Sequence, residues 1–253
     1  MKINLGKYNL IFKKKGNGEN PEPDEHSFKN LNTIEFVSHE LRGILGSTIM
    51  FVYSIRDGFY GFLNFKQRNC IEATIRNLRR LESTIKDFLD LSIIEDKKID
   101  LVRADLIVNE DIIREVLDTF CSEIFEKRII VKNDIPDELH IISNRNLLTT
   151  VFNNLIGNAI KYGNKNGKII ISSHIQEKFI RFSIYNDGTP LADDEGENLF
   201  KKFFRLENES NKKIKGTGLG LFIVKNIVGS LGGRVWHEPG EKGNIFIFEI
   251  KRS

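Results

Sequence analysis

The chain has 253 residues, enough for two modest domains. Its 38 Lys and Arg against 35 Asp and Glu leave a net charge of +3, too balanced for a dedicated nucleic-acid binder. With 40% hydrophobic and 29% charged residues it reads as a soluble globular chain, which excludes wholesale disorder, and 19 Phe supply core material.

The two cysteines, Cys70 and Cys121, lie far apart and outside any CxxC pair. That argues against a disulfide framework or a structural zinc site, and a reducing, cytoplasmic setting is expected. No apolar run approaches the ~18 residues of a membrane span, so no transmembrane segment is predicted. Residues 1–27 read as a tail, with Gly16 to Glu25 a polar linker rich in Gly and Pro.

Residues 28–97 change texture. Ile34, Leu41, Leu45, Val52, Ile55 and Phe59 follow a 3.5-residue repeat, with Ser38 and Thr48 in the other seam positions. Asp57 to Asn64 (DGFYGFLN) reads as a turn. Ile71, Ile75, Leu78, Leu81, Ile85 and Phe88 then repeat the helical spacing. One hairpin cannot bury both seams by itself, so a homodimer closing a four-helix bundle is expected, the alternative being that the hairpin packs on the rest of its own chain.

Residues 98–253 read as α+β, with helices on one face of a sheet. Helices are predicted over Asn109 to Lys127, Asn144 to Tyr162 and Gly218 to Leu231. Strands are predicted over Ile129 to Val131, Lys168 to His174, Phe179 to Tyr185 and Asn244 to Ile250. Pro190 to Lys215, poor in apolar residues, is expected to be a mobile lid.

Four segments carry chemistry. In Phe36-Val37-Ser38-His39-Glu40-Leu41-Arg42, Leu41 is on the seam, so His39 flanks it, exposed. A neutral imidazole there is a competent nucleophile, and Glu40 can hold the ring N–H and act as base. Taken alone, a His-Glu pair on a helix is surface decoration. Asn154, Asn158 and Lys161, at i, i+4 and i+7, share one helix face. Amide oxygens suit Mg²⁺ and an ammonium suits phosphate. A plain solvent face explains less well why Asn, a poor helix former, recurs at 153, 154 and 158. Asn186-Asp187-Gly188-Thr189-Pro190 ends a strand, where a glycine admits a flat ligand and an amide or carboxylate can read an adenine edge; by itself it is a turn. Lys215-Gly216-Thr217-Gly218-Leu219-Gly220-Leu221 opens a helix as a phosphate cradle would. It is neither a Walker A loop nor a dinucleotide fingerprint.

In this order and spacing the segments resemble the boxes of sensor histidine kinases. FVSHELR resembles the H box, NNLIGNAIKY the N box, NDG the G1 box, LFKKFFR (Leu199 to Arg205) the F box and GTGLGL the G2 box. The resemblance covers about residues 28 to 253. It implies a dimerisation and phosphotransfer hairpin followed by a two-layer α+β sandwich of the ATPase type shared with gyrase, chaperone and mismatch-repair ATPases. It further implies His39 as phosphoacceptor with Glu40 as base, and Asn158 on Mg²⁺ with Asn154 beside it. Lys161 would meet phosphate and Tyr162 line the ATP pocket. Asn186 and Gly188 would meet adenine, with Asp187 the register-shifted alternative to Asn186. Phe203 would order the lid and Arg205 approach the phosphates. Gly216, Thr217, Gly218, Leu219 and Gly220 would form the phosphate loop. The implied partner is a response regulator, expected on a separate chain.

The chain departs from the family pattern at three places. Arg42-Gly43-Ile44-Leu45 lacks the usual proline, which predicts a straighter first helix, bending if anywhere at Gly43 or Gly46. Gly43 stands where the family carries the Thr or Asn that orients a water for regulator dephosphorylation, so phosphatase activity is expected to be weak. Asn186 replaces an Asp and Pro190 a Gly, so ATP binding is expected to survive, somewhat weakened. Two other readings compete: a degenerate kinase serving as a dimeric scaffold or phosphorelay adaptor, and an ATP-driven machine of the gyrase or chaperone kind.

Overall fold

The computed structural model describes residues 25–95, 102–191, 196, 198–206 and 216–252, with side chains described from Glu40 to Leu89 and from Val102 onward. The expected tail and most of the linker, residues 96–101 at the expected domain junction, and 192–195, 197 and 207–215 of the expected lid lie outside the described residues.

Two long helices, α1 (Glu25–Arg56) and α2 (Phe65–Glu95), form the hairpin. The turn falls where the glycines placed it, with Gly58 at φ 88° and Gly61 at φ 110°. Such angles cost a glycine little and an L side chain much. Asn64 then starts α2 reciprocally: its Oδ1 accepts from Gln67 N–H at 2.9 Å, and Gln67 Oε1 accepts from Asn64 N–H at 2.9 Å. Tyr53 pins the helices together. Its hydroxyl accepts from Arg79 Nε at 2.9 Å while the Arg56 guanidinium lies 4.5 Å over its ring.

Within one chain the seam is only half covered. Leu45, Val52, Ile75 and Leu89 are buried, whereas Leu41, Ile44, Phe51, Leu81 and Phe88 remain exposed. The turn's Phe59 and Phe62 are also exposed. α1 runs unbroken through Arg42-Gly43-Ile44-Leu45. No described helix is long and apolar enough to cross a membrane.

The second unit is a five-stranded sheet in the order β2-β4-β5-β7-β6 with a small β1-β3 pair beside it. The strands are β1 (Ala104–Ile107), β2 (Ile130–Asp134), β3 (His140–Ser143), β4 (Lys168–Ile175), β5 (Phe179–Asp187), β6 (Arg234–Gly240) and β7 (Gly243–Lys251). β2 and β4 run parallel through a crossover that contains helix α5 (Arg145–Tyr162); the other neighbours in the sheet are antiparallel. α5 and α6 (Gly220–Ser230) pack on one face. There Phe152 of α5 meets Phe182 and Phe248 edge-on at 5.4 and 5.3 Å, and those two rings stack at 5.1 Å. Offset and edge geometries let three fully buried rings share one core without face-to-face repulsion.

Three expectations need correction. The helix over Asn109 to Lys127 is broken into a π-helical turn (Asn109–Ile113), α3 (Arg114–Thr119) and α4 (Cys121–Lys127). The break is at Phe120, whose backbone leaves the helical region while its ring packs against Gly157. β1, β3 and β6 were not anticipated. β1 and β3 are four residues each, and β6 is an edge strand carrying Pro239 and charged side chains. Finally, the F-box part of the expected lid is anchored. Leu199 and Phe200 form a buried 3₁₀ turn, and Phe204 and Leu206 pack on the core.

Candidate functional site

α5 has two unlike faces. Asn144 caps its start, accepting from Leu147 N–H at 3.0 Å. Leu148, Val151, Phe152, Leu155, Ile156, Ala159 and Ile160 are buried. Asn154, Asn158 and Lys161 are half-buried on the adjoining face. The turn before α6 comes to this face with almost no room to spare. A Cβ on Gly220 would stand 2.5 Å from Asn154 Oδ1, and one on Gly216 would stand 2.5 Å from Lys161 Nζ. A side chain at either position would push the end of Lys161 or Asn154 aside. The Asn154 amide is held by its own helix, donating to Thr150 O at 2.9 Å.

Gly218, at φ 73°, faces the backbone of Phe203 and Phe204 and accepts from Phe203 N–H at 3.0 Å. Phe203 is itself left-handed at φ 64° and its ring is exposed. Leu219 is buried, and its N–H donates to Thr217 Oγ1 at 3.3 Å.

The end of β5 closes the site. A Cβ on Gly188 would stand 2.6 Å from Tyr162 O, so the strand end abuts the last turn of α5. Strand alternation separates the two candidates left open above. Asn186 is buried on the helix-facing side with Phe182 and Ile184, its Nδ2 donating to Asp187 O at 3.1 Å. Asp187 takes the Lys168 N–H at 3.0 Å on its carboxylate, beside Gly167.

Lys161 Nζ lies 5.2 Å from the centre of the Tyr162 ring. Burial pushes the Lys161 ammonium below the ordinary lysine range; Arg205 adds to this and Asp87 opposes it. Burial pushes the Tyr162 phenol up, with Arg205 opposing.

His39 and Glu40 lie on α1 of the hairpin, on a different element from these residues. Glu40 is exposed; the His39 side chain lies outside the described residues. Two neighbours of the site had no local signature in the sequence. Asp87 of α2 accepts from Thr217 Oγ1 at 2.5 Å, a contact between residues 130 apart. Lys127 of α4 donates to Ile160 O at 2.5 Å and Lys161 O at 3.1 Å.

Residues 30–97 match the family described as "His Kinase A (phospho-acceptor) domain", and residues 143–253 that described as "Histidine kinase-, DNA gyrase B-, and HSP90-like ATPase". The catalytic domain of histidine kinase ThkA is 32% identical; the likeness covers 59% of this chain and 97% of that one, with a TM-score of 0.52. The chain belongs to the histidine kinase family. The sensor-like histidine kinase SenX3 of Mycolicibacterium smegmatis is 29% identical over 72% of this chain and 48% of its own length. Histidine kinase ThkA in complex with the response regulator protein TrrA gives a TM-score of 0.59 at 26% identity, covering 92% of this chain and 68% of that one. The chain thus spans about half the length of the curated SenX3 relatives it matches, and a smaller share of others such as WalK of Bacillus subtilis, at 35%. Histidine kinase membership and the hairpin-plus-sandwich architecture agree with the resemblance drawn from the sequence.

Proposed function

We propose that the chain is an ATP-dependent, autophosphorylating protein histidine kinase that hands its phosphoryl group to an aspartate of a separate response regulator. The carrying observation is the seating of the Gly216–Gly220 turn on the Asn154–Lys161 face, in one chain with the His39-Glu40 hairpin. Backbone N–H groups at the start of α6 and the Lys161 ammonium, which lies beside Gly216, are the kinds of group that bind phosphates. We assign Arg205, Thr217 and Leu219 to the phosphates as well, and Asn186, Gly188, Tyr162 and Phe203 to the base.

In the reaction an imidazole nitrogen of His39 attacks the γ-phosphorus. The bond to the ADP oxygen breaks as the N–P bond forms, and Glu40 accepts the ring proton. The amide oxygen of Asn158, a hard neutral donor, fits Mg²⁺ held jointly with substrate phosphates. Such an ion neutralises phosphate charge; the chain's own residues supply orientation. Among the described residues no three His, Cys, Asp or Glu side chains gather as an independent metal site.

The homodimer belongs to the same reading, because Leu41, Ile44 and Phe51 stay exposed along one helix. A second chain covering them would complete a four-helix bundle.

The test is incubation with γ-labelled ATP and Mg²⁺ beside His39→Gln. Acid-labile, base-stable label on the wild type and none on the variant is expected. Equal labelling of both would overturn the assignment, and bound nucleotide without label would favour the scaffold reading.

Weak phosphatase activity toward the regulator is part of the proposal. A Cβ on Gly43 meets nothing within 4 Å, so Gly43→Thr is a usable probe of this position. Regulator dephosphorylation in the presence of ADP is expected to be slow in the wild type and faster in Gly43→Thr. Rapid dephosphorylation that the substitution leaves unchanged would remove this part of the reading.

A further inference from the structure

The last four carbonyls of an α-helix have no partner within it. In α5 these belong to Ala159, Ile160, Lys161 and Tyr162, on the turn that presents Lys161 and Tyr162 to the site. Helices commonly satisfy them with a left-handed glycine one residue beyond the end. Gly163 does not do this. Its backbone is extended, at φ −70° and ψ 158°, and its N–H reaches only Ala159 O, at 2.9 Å. Tyr162 O lies against Gly188, where an added Cβ would stand 2.6 Å away.

The two remaining carbonyls are taken from outside. The Lys127 ammonium donates to Ile160 O at 2.5 Å and to Lys161 O at 3.1 Å. A cation at a helix C-terminus also opposes the helix dipole. Lys127 is itself fixed at both ends. It is the last residue of α4, and its carbonyl accepts from Asn166 N–H at 2.8 Å, on the loop that leaves α5. One residue further, Ile130 N–H donates to Gly167 O at 2.8 Å, so the α4–β2 corner grips the α5–β4 corner.

We propose that Lys127 is a positioning residue for phosphate binding: it holds the final turn of α5 so that Lys161 stays beside Gly216 and Tyr162 beside Gly188. The inference rests on the ATP-binding reading above. Lys127 acts in this reading through the α5 carbonyls it binds.

The test compares wild type, Lys127→Met and Lys127→Arg by calorimetric titration with ATP and with AMP, alongside thermal melting. Methionine keeps length and loses the donors; arginine keeps charge and donors. Lys127→Met is expected to weaken ATP binding by about tenfold and AMP binding far less, since only ATP depends on Lys161 being held at the phosphates. Lys127→Arg is expected to restore most of the loss. A Lys127→Met protein that melts lower but keeps the wild-type ATP-to-AMP ratio would make Lys127 purely structural and overturn the inference. A wild type that binds neither nucleotide would instead overturn the ATP-binding reading, and the inference with it.

Discussion

Gly218→Ala is expected to weaken ATP binding by about tenfold to a hundredfold, the equivalent of 1–3 kcal/mol of backbone strain. Two costs meet at this residue. Its φ of 73° lies where an L side chain is disfavoured. An added Cβ would also stand 2.8 Å from Phe203 C and 2.9 Å from Phe204 O, both backbone atoms that no rotamer change can move. The turn must therefore shift, breaking the Phe203 N–H to Gly218 O bond that joins the F and G2 segments. Gly216 and Gly220 lie two residues away on either side and would be carried off Lys161 and Asn154. Leu219 and Phe204 beside the turn belong to the packed core, and the strain falls on the folded state, so the melting temperature should fall as well, by several degrees. Gly229→Ala in α6 is the matched control. Its Cβ meets nothing within 4 Å, and helix propensity alone should stabilise it by about 0.5–1 kcal/mol. Calorimetry with ATP and thermal melts on both variants would decide the matter. Undiminished ATP affinity in Gly218→Ala would show that the turn's conformation is immaterial to nucleotide binding.

What the sequence disclosed and what it hid follow from the range of the interactions. Asn144 to Tyr162 was legible nearly to the residue because a capping side chain, a 3.6-residue apolar pattern and an ending glycine are all local signals. The hairpin turn was legible because Gly58 and Gly61 stand between two periodic runs. The box residues were found by their order along the chain. Which of Asn186 and Asp187 faces the helices was not legible, because a one-residue shift in strand register exchanges the two faces. The pairing of Asn186 with Ile169 and Asn244 fixes it. The break at Phe120 needed Gly157, more than thirty residues on, to make room for the ring. Lys127 and Asp87 were invisible for the same reason: their partners lie on distant elements, and a lone Lys or Asp on a helix carries no local mark of a tertiary bond.

Asp87→Ala is expected to tighten ATP binding by about two- to tenfold and to leave AMP binding nearly unchanged, as befits loss of one hydrogen bond worth on the order of 0.5–1.5 kcal/mol. In the structure α2 lies against α6, and the Asp87 carboxylate takes the Thr217 hydroxyl at 2.5 Å. It also bears on the Lys161 ammonium, raising its pKa against the burial that lowers it. A negative group thus engages two residues assigned to phosphate in the proposed function. A polyphosphate and this carboxylate are alike in charge, so binding one is opposed by retaining the other nearby. The contact is not a comfortable one for the carboxylate. Burial raises the Asp87 carboxyl above the usual range, more than the Thr217 hydrogen bond and the neighbouring lysines lower it. A group whose pKa is raised in a contact stabilises that contact at low pH and loses it as pH rises through the raised value. On the proposed function, an arriving phosphate and the Asp87 carboxylate compete for Thr217 and Lys161. Equal ATP affinities in Asp87→Ala and wild type would mean that the carboxylate leaves Thr217 without cost to nucleotide binding. A tighter variant would make α2 a competitor for the phosphate residues, so that movement of the hairpin and occupancy by ATP are linked through one side chain.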